Sequence, residues 1–347
     1  MARVTRLQLL AKIDSLAPAI RAAFAAAIMQ VRSEASITAL AALITAGRLD
    51  EAFDMLGIDA ARFTGLSESV RDVFKAGGMQ GEGELPTIRM RGGGIIKPRF
   101  DIRNRAAEEW LRNRSSDLVA EIARDQREAI RVMVSAGTEL GRNPRETALD
   151  LVGRVGATGR RSGGVIGLTS QQAEYVANAR AQLLSGDPEA MARYFTRGRR
   201  DARFDGIVQR AVNAGKPVSR ADVDRITGRY ADRLLQLRGE TIARTEALNA
   251  FNSGRQHAFE QAIGGGKLSN TSVRKKWQSS GDDRVREAHV EMNGQEVGLS
   301  EPFLSPTGAQ LMHPGDSSLG AGAEDIIACR CSVVYVIDQI AEVLRRG

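Results

Sequence analysis

Apolar residues in the first part of the chain recur at the spacing of an α-helix. Phe24, Ile28 and Val31 lie four and three residues apart, so they fall on one face of a helix. Glycine often follows the last turn of a helix, and the last of these segments ends at Gly77. The pattern predicts a series of short helices over residues 1–76.

The helical pattern disappears in the glycine-rich stretch of residues 77–98. This stretch contains Pro86 and Pro98 as well as its glycines, and its apolar residues show no period. We therefore predict a linker or an extended arm. The triple glycine Gly92–Gly94 is not followed by the Gly-Lys-Ser/Thr of a phosphate-binding loop, which excludes that motif.

A second and longer helical pattern covers residues 99–263. Trp110, Leu118 and Ile122 recur at helical spacing, with arginines and glutamates between them. The length of this pattern predicts a hairpin of long helices.

One helix is predicted over Gly239–Ile263, and small side chains form a stripe along it. Ala247, Ala250 and Gly254 lie three and four residues apart, so a second helix can approach that face closely. We expect Arg244 and Glu246, in the same stretch, to tie this helix to the C-terminal region.

The sequence pattern of the last part of the chain, residues 264–347, predicts a small domain with both strands and helices. Val273–Gln278 predicts a short strand, and Cys329–Ile337 alternates as a second strand. Between them, Gly281–Asp283 predicts a turn that caps a helix containing His289.

A final helix is predicted from Asp338 through Ile340, Val343 and Leu344. These patterns together predict a predominantly α fold, with elongated helical N-terminal and middle regions and a small C-terminal α+β domain. The predicted regions are an N-terminal helical region (1–76), a glycine-rich linker or arm (77–98), a helical middle domain built on a long-helix hairpin (99–263) and the C-terminal domain (264–347).

The net charge of +7 and the pI near 9.8 favour an acidic partner, with nucleic acid as the leading candidate. An arginine-rich protein without such a partner is the alternative. Arginines crowd in the middle region, and four of them are candidates for contacting DNA phosphates without reading sequence: Arg197, Arg199, Arg200 and Arg203. A solvated helix face with salt bridges along it is the other interpretation of this cluster.

The cysteine count and the N-terminus exclude two further classes. Two cysteines in 347 residues exclude a disulfide-stapled secreted scaffold. Lys12 and Asp14 interrupt the apolar run that a signal peptide needs, and no stretch approaches the about 18 apolar residues of a membrane span. We expect a soluble protein made in the cytoplasm, with no membrane partner.

Residues with metal-binding chemistry gather in the C-terminal domain, which holds both cysteines and two of the three histidines. Cys329 and Cys331 are two apart on a predicted strand, so they point to the same side. With His289 and His313 they could hold one structural zinc ion. In the alternative interpretation both cysteines extend the buried face of the strand, and His289 is a core residue bonded to an aspartate such as Asp316.

Catalytic arrangements are also conceivable, but no spacing specifies one. Either cysteine with either histidine would make a nucleophile and base, and Asp282, Asp283 and Asp316 could hold a catalytic divalent ion. We expect no catalytic residues, no enzyme activity and no cofactor beyond the structural zinc under consideration.

Several short motifs occur in a fixed order along the C-terminal part of the chain. They are IARTEAL at Ile242–Leu248, Trp277, GDDRVREAH at Gly281–His289, NGQEV at 293–297, Pro302-Phe303, HPGD at His313–Asp316 and the closing CRC at Cys329–Cys331. As an ordered combination, strongest over about residues 240–332, they resemble the phage Mu protein F-like family of head morphogenesis (minor head) proteins. The closing motif of relatives usually has asparagine where this chain has Ala328.

The resemblance implies a non-enzymatic structural protein of the phage or prophage virion. Such a protein associates with the portal, joins scaffold and major capsid protein in the host cytoplasm during procapsid assembly, and ends inside the head, where it can contact double-stranded DNA. The residues that the resemblance marks as structural are Trp277, Asp283, Arg286, Asp316 and Phe303, together with Arg244 and Glu246. The alternatives are a metal-dependent hydrolase or nuclease centred on the His, Asp and Cys cluster, and a plain DNA-binding protein.

Overall fold

The computed structural model describes residues 4–89, 94–156, 159–338 and 340–342. Their backbone groups into two compact units, and each unit gathers segments that are distant in sequence. Unit 1 comprises the described residues of Met1–Ala22, Leu66–Ser115 and Glu240–Gly347, and unit 2 comprises those of Ala23–Gly65 and Ser116–Gly239. These units do not coincide with the four consecutive regions drawn from the sequence, which stay a prediction.

Helices dominate the described chain. They are α1 (Arg6–Glu34), α2 (Ile37–Thr45), α3 (Leu49–Met55), α4 (Thr64–Glu84), α5 (Arg105–Glu139), α6 (Pro144–Val152), α7 (Ser170–Leu184), α8 (Pro188–Ala192), α9 (Asp205–Ala214), α10 (Arg220–Gly264), α11 (Glu287–Glu291) and α12 (Ala323–Ile326). No single helix of this part of the chain is long and apolar enough to cross a membrane; α1 and α2 reach that length and composition only as a sharply bent pair.

The strands are short. They are β1 (Ile88–Arg89), β2 (Ile95–Ile96), β3 (Arg154–Val155), β4 (Arg161–Ser162), β5 (Val273–Gln278), β6 (Glu296–Gly298), β7 (Phe303–Leu304), β8 (Gln310–Leu311) and β9 (Ser332–Ile337). The predominantly α fold with a small C-terminal α+β region is therefore confirmed.

The C-terminal α+β region is built on an antiparallel sheet with the strand order β6-β5-β9. Trp277 of β5 pairs with Val333 of β9. Alternate residues of β5, namely Val273, Lys275 and Trp277, are buried, as expected for a strand with one face in the core. The predicted strand at Val273–Gln278 is confirmed, whereas the second strand begins at Ser332 rather than at Cys329.

Two predicted helix boundaries were wrong. Helix α4 does not end at Gly77 but continues to Glu84, through the first part of the stretch interpreted as a linker. Helix α10 begins at Arg220, well before the small-residue stripe. Of the predicted final helix, residues 340–342 are helical, and Val343 and Leu344 lie outside the described residues. The triple glycine Gly92–Gly94 also falls largely outside them.

The glycines of α4 lie against the small residues of α10. A Cβ added to Gly77 would stand 2.0 Å from the carbonyl oxygen of Phe251, and one added to Gly254 would stand 2.0 Å from that of Phe74. Two helix backbones come this close only where side chains are missing on both. The close approach that the stripe on α10 predicts is confirmed, and its partner is the glycine-rich segment itself.

In unit 2, the glycine-rich loop between β4 and α7 is held by buried arginines. Arg32 donates hydrogen bonds to the carbonyl oxygens of Gly164 and Ile166, at 2.7 and 3.0 Å. Arg238 donates to the carbonyl oxygen of Gly167 at 3.0 Å. A buried loop needs such donors because its backbone carbonyls cannot reach water.

The contact between α4 and α10 predicts opposite effects for two glycines of one helix. Gly77→Ala forces a methyl group into the backbone of Phe251 and should destabilise unit 1 by about 2 kcal/mol or more. Gly83→Ala meets nothing within 4 Å and should stabilise the helix by about 0.5 kcal/mol. Thermal and urea unfolding of the two variants measure the difference. Two nearly neutral substitutions would contradict the packed helix and favour a linker.

Candidate metal centre

The structure brings three of the four predicted zinc ligands together. Nδ1 of His289 lies 3.5 Å from Sγ of Cys329 and 3.6 Å from Sγ of Cys331. All three side chains are buried, with exposed fractions between 1% and 3%. Among the described residues, this is the group of His, Cys, Asp and Glu side chains whose ligand atoms converge, all within 4.8 Å of one another.

Local backbone features place these side chains. His289 lies on α11, whose preceding residue Arg286 donates a hydrogen bond to the carbonyl oxygen of Ile327. Ala328 then takes a left-handed conformation with φ 51° and donates its N–H to Oγ1 of Thr245 on α10, at 3.1 Å. This turn presents both cysteine sulfurs to the histidine before β9 begins.

The carboxylate beside His289 is Asp325, not Asp316 as the sequence suggested. Its Oδ1 lies 3.3 Å from Nε2 of His289 and accepts a hydrogen bond from the hydroxyl of Ser305 at 2.9 Å. Its Oδ2 accepts from the hydroxyl of Thr307 at 2.7 Å. Asp325 is fully buried and faces the ring nitrogen on the side opposite the sulfurs.

His313, the fourth predicted ligand, is not part of the cluster. It is buried in the HPGD turn, where burial lowers the pKa of its imidazole below the usual value. Asp316 organises the same turn by accepting hydrogen bonds from the backbone N–H groups of Met312 and Ser318, at 2.8 and 2.9 Å. The four-ligand set was wrong because residues 24 apart in sequence were assigned to one site without knowledge of the intervening turns.

A buried lysine supports the HPGD turn. Nζ of Lys275 donates to the carbonyl oxygen of Met312 at 2.8 Å and lies 5.4 Å from the centre of the Phe303 ring. Burial lowers the pKa of Lys275 to about 8, because the charged ammonium loses its water.

The pKa values of the two thiols are shifted in opposite directions. The hydrogen bond from the Cys331 thiol lowers the pKa of Cys329 well below its usual value, and the same hydrogen bond raises the pKa of Cys331. The backbone N–H of Cys331 also donates to Sγ of Cys329, at 3.4 Å. Cys329 is therefore the sulfur that carries negative charge first.

Aromatic rings form a wall of the cluster. The Trp277 ring stands edge-on to the His289 ring, with centroids 5.3 Å apart, and edge-on to the Phe303 ring at 5.2 Å. Both Trp277 and Phe303 are buried. These two predicted motif residues thus form the apolar surroundings of the cluster, whereas the histidine and the sulfurs are the groups that could bind a ligand.

The two aspartates of the turn before α11, Asp282 and Asp283, lie in different environments. Asp282 accepts from the backbone N–H of Arg284 at 3.1 Å and pairs with Arg330 at 3.0 Å. Asp283 is exposed, and the turn does not cap α11, which begins only at Glu287. Because Asp316 is bound to backbone amides elsewhere, these aspartates do not form the divalent-ion site considered from the sequence.

Glu246 does not tie α10 to the C-terminal module as expected. It forms a buried ion pair with Arg114 of α5, with Nε of Arg114 2.8 Å from Oε2. Arg244 is half-buried on the same helix. The tie to the C-terminal module comes instead from Thr245, and from Arg255, which donates to the carbonyl oxygen of Val333 at 3.1 Å and pairs with Glu84.

The four candidate DNA-contact arginines lie in unit 2. Arg197 donates to Oε1 of Gln182 at 2.8 Å, Arg200 pairs with Asp205 at 3.1 Å, and Arg203 pairs with Asp201 at 2.7 Å. Arg229 and Arg233 also converge on Asp201. Arg199 is exposed. Salt bridges along this face are seen at Arg200 and Arg203, and contact of the four arginines with DNA stays a prediction.

With the fold and this cluster described, the chain can be compared with known proteins. Residues 207–334 match the family described as Phage Mu protein F like protein. Minor head protein GP7 of Bacillus phage SPP1 is 32% identical over 105 residues, which is 30% of this chain and 32% of that protein. NAD(+)–arginine ADP-ribosyltransferase EFV of Enterococcus faecalis (strain ATCC 700802 / V583) is 33% identical over 105 residues, 30% of this chain and 20% of that protein. No solved structure matches.

Residues 207–334 are thus similar to the Mu protein F-like head protein family, and the resemblance drawn from the motifs is confirmed over this segment. The chain spans about a third of the length of GP7 and a fifth of that of EFV. The similarity therefore concerns a shared part of these proteins.

Four residues that hold the module together were missed from the sequence: Arg114, Thr245, Arg255 and Asp325. Arg255 and Thr245 lie on the small-residue helix, and polar residues within an otherwise apolar stretch were the available signal. Nothing local to Arg114 or Asp325 distinguishes them from surface charges. Their partners are distant in sequence.

The conformation of Ala328 predicts that this turn is strained. Ala328→Asn or Ala328→Gly should stabilise the protein by about 1 kcal/mol, because these residues adopt a positive φ more readily than alanine does. Ala288→Gly in α11 is the matched control and should destabilise by a similar amount. Unfolding midpoints of the three variants measure this. A loss of stability in both Ala328 variants would contradict the left-handed turn.

Proposed function

We propose that this protein is a structural component of a phage or prophage head that associates with the portal and the inner capsid during assembly. The observation that carries the proposal is the family match of residues 207–334, supported by the similarity to a protein named minor head protein. On this proposal the chain assembles in the host cytoplasm with scaffold and major capsid protein and remains inside the finished head.

The roles of the motif residues support a structural function. Glu246 bonds to Arg114, and Arg286 bonds to the backbone near the cysteines. Trp277 and Phe303 pack against each other. The residues through which the chain resembles its family therefore build the shape of the module, as expected for a protein that acts by docking.

The hydrolase alternative loses support from the same geometry. Its five candidate residues divide between two places, because His313 and Asp316 belong to the HPGD turn and only His289, Cys329 and Cys331 converge. The transferase activity in the name of EFV is stated of that protein, of which this chain matches a fifth. We propose no catalytic activity for this chain.

Incorporation into heads tests the proposed function. The tagged protein should co-purify with the portal protein from cells in which assembly is blocked, and nuclease-treated finished heads should contain it. The Gly83→Ala variant, with an open site on α4, serves as a folded control and should behave in the same way. Normal heads formed without the gene, together with absence of the protein from wild-type heads, would contradict the proposal.

We further propose that unit 2 contacts packaged DNA through the arginine cluster around Asp201. Arg203 keeps 73% of its side chain exposed although it is paired, and Arg199 is exposed. Salt-bridged arginines of this kind can contact phosphates while their carboxylates hold them in place. Such binding depends on charge and shape rather than on base sequence.

The salt dependence of DNA binding should report this contact. The affinity for random-sequence duplex, measured by fluorescence anisotropy, should fall steeply as salt rises, and Arg199→Gln should reduce the slope of log affinity against log salt by about 1. Arg145→Gln, which removes one exposed arginine from α6 of the same unit, is the matched control and should leave the slope unchanged. A flat salt response of the unmodified protein would remove DNA from its partners.

A further inference from the structure

We propose that His289, Cys329 and Cys331 bind one Zn²⁺ ion, with Nδ1 of the histidine and the two sulfurs as ligands and Asp325 holding the far side of the ring. This three-ligand site goes beyond the virion role, and its test is independent of head assembly. It also replaces the four-ligand set, because His313 belongs to another turn.

The distances fit a tetrahedral zinc site. Zinc–sulfur bonds of about 2.3 Å and zinc–nitrogen bonds of about 2.0–2.1 Å, at a tetrahedral angle, place the nitrogen and each sulfur about 3.6 Å apart. The structure has 3.5 and 3.6 Å between Nδ1 of His289 and the sulfurs of Cys329 and Cys331. Both sulfurs are free thiols. The two nitrogen-to-sulfur separations are thus already those that one shared ion imposes.

The second nitrogen of the histidine lies beside a carboxylate, at an ion-pair distance but without hydrogen-bond geometry. Metal-binding histidines commonly donate their other N–H to a carboxylate, which fixes the ring orientation. Asp325 Oδ1 lies 3.3 Å from Nε2 of His289, and the hydroxyls of Ser305 and Thr307 fix this carboxylate in turn. Asp325 is therefore a positioning residue that acts through His289.

The charges of the cluster favour a cation. Two thiols and a carboxylate are buried around one imidazole, and buried negative groups are costly unless a positive charge compensates them. Apart from His289 itself, the partners described above for Asp325 and Cys329 are hydroxyls and a backbone amide, which carry no net charge. A divalent ion between the two sulfurs would supply the compensation.

The ion, together with the carboxylate beside its histidine ligand, would join three parts of the module that strand pairing does not connect. His289 lies on α11, Asp325 on α12, and the cysteines immediately precede β9. Among the described residues no further His, Cys, Asp or Glu joins the ligand group, so one position of the tetrahedron is left for water. Since all three ligands are buried, we assign the ion a role in holding shape.

Metal content and cobalt spectroscopy of the full-length protein test the site. Purified under reducing conditions and equilibrated with zinc, the protein should retain about one ion per chain after removal of excess metal. Cobalt substitution should give thiolate-to-metal charge-transfer absorption, and Cys329→Ser or Cys331→Ser should each remove about half of it. His289→Gln should shift the visible bands and weaken zinc retention.

Two further variants separate the proposed site from its neighbours. His313→Gln changes the other buried histidine and should keep both the zinc and the cobalt spectrum. Asp325→Asn should keep the ion but bind it about 10- to 100-fold more weakly in competition with a chelator, because the ring is less firmly oriented. Circular dichroism of each variant with zinc present identifies any that fail to fold, and removal of zinc from the unmodified protein supplies the same comparison without a mutation.

Three results would overturn the proposal. One is a folded, reduced protein that retains no zinc after equilibration. Another is zinc bound with unchanged affinity in both single cysteine variants, and a third is zinc lost in His313→Gln as fully as in His289→Gln. A lower unfolding temperature after chelation, reversed by zinc but not by magnesium, would support the proposal, because Mg²⁺ disfavours sulfur ligands.

Discussion

The buried part of α10 imposes the constraint on which unit 1 depends. Every residue from 245 to 256 is buried, and several of them are polar. Enclosing such a helix is costly unless its polar side chains find partners in the surrounding structure. Thr245 bonds to the turn before the cysteines, and Glu246 bonds to α5. Asn252 bonds to the HPGD turn, and Arg255 bonds to both α4 and β9.

These bonds explain how a module with little regular sheet acquires a defined shape. The three-stranded sheet is small, and the loops between its strands are long. The helix sets the position of two of those loops, at Ala328 through Thr245 and at Pro314 through Asn252. The cysteines follow Ala328 directly, so the helix also determines where the proposed zinc ligands stand. A module positioned by these bonds is consistent with the docking role proposed above.

The sequence predicted those features that repeat locally. Strand β5 and the small-residue stripe of α10 follow from periods of two and of three to four residues. The family resemblance, carried by an ordered set of motifs, was confirmed. Local patterns predict such features correctly because each feature depends on residues close together in the chain.

The predictions that were wrong concern residues whose partners are distant in sequence. The glycines of α4 disfavour a helix on their own, and they are helical because the backbone of α10 occupies the space that side chains would need. His313 is absent from the cluster, and Asp325 rather than Asp316 faces His289, because the turns between these residues decide which of them reaches it. Glu246 was assigned to the wrong partner, since Arg114 lies on a helix more than a hundred residues earlier. Tertiary packing decided each of these cases.

Hydrogen exchange of the native protein, followed by mass spectrometry, tests most directly whether the enclosed helix organises unit 1. The account predicts that the amides of residues 77–84 exchange slowly, in the same class as those of residues 245–256 and β5, because all belong to one packed unit. Exchange of residues 77–84 at the rate of an unstructured chain, with residues 245–256 still protected, would contradict it.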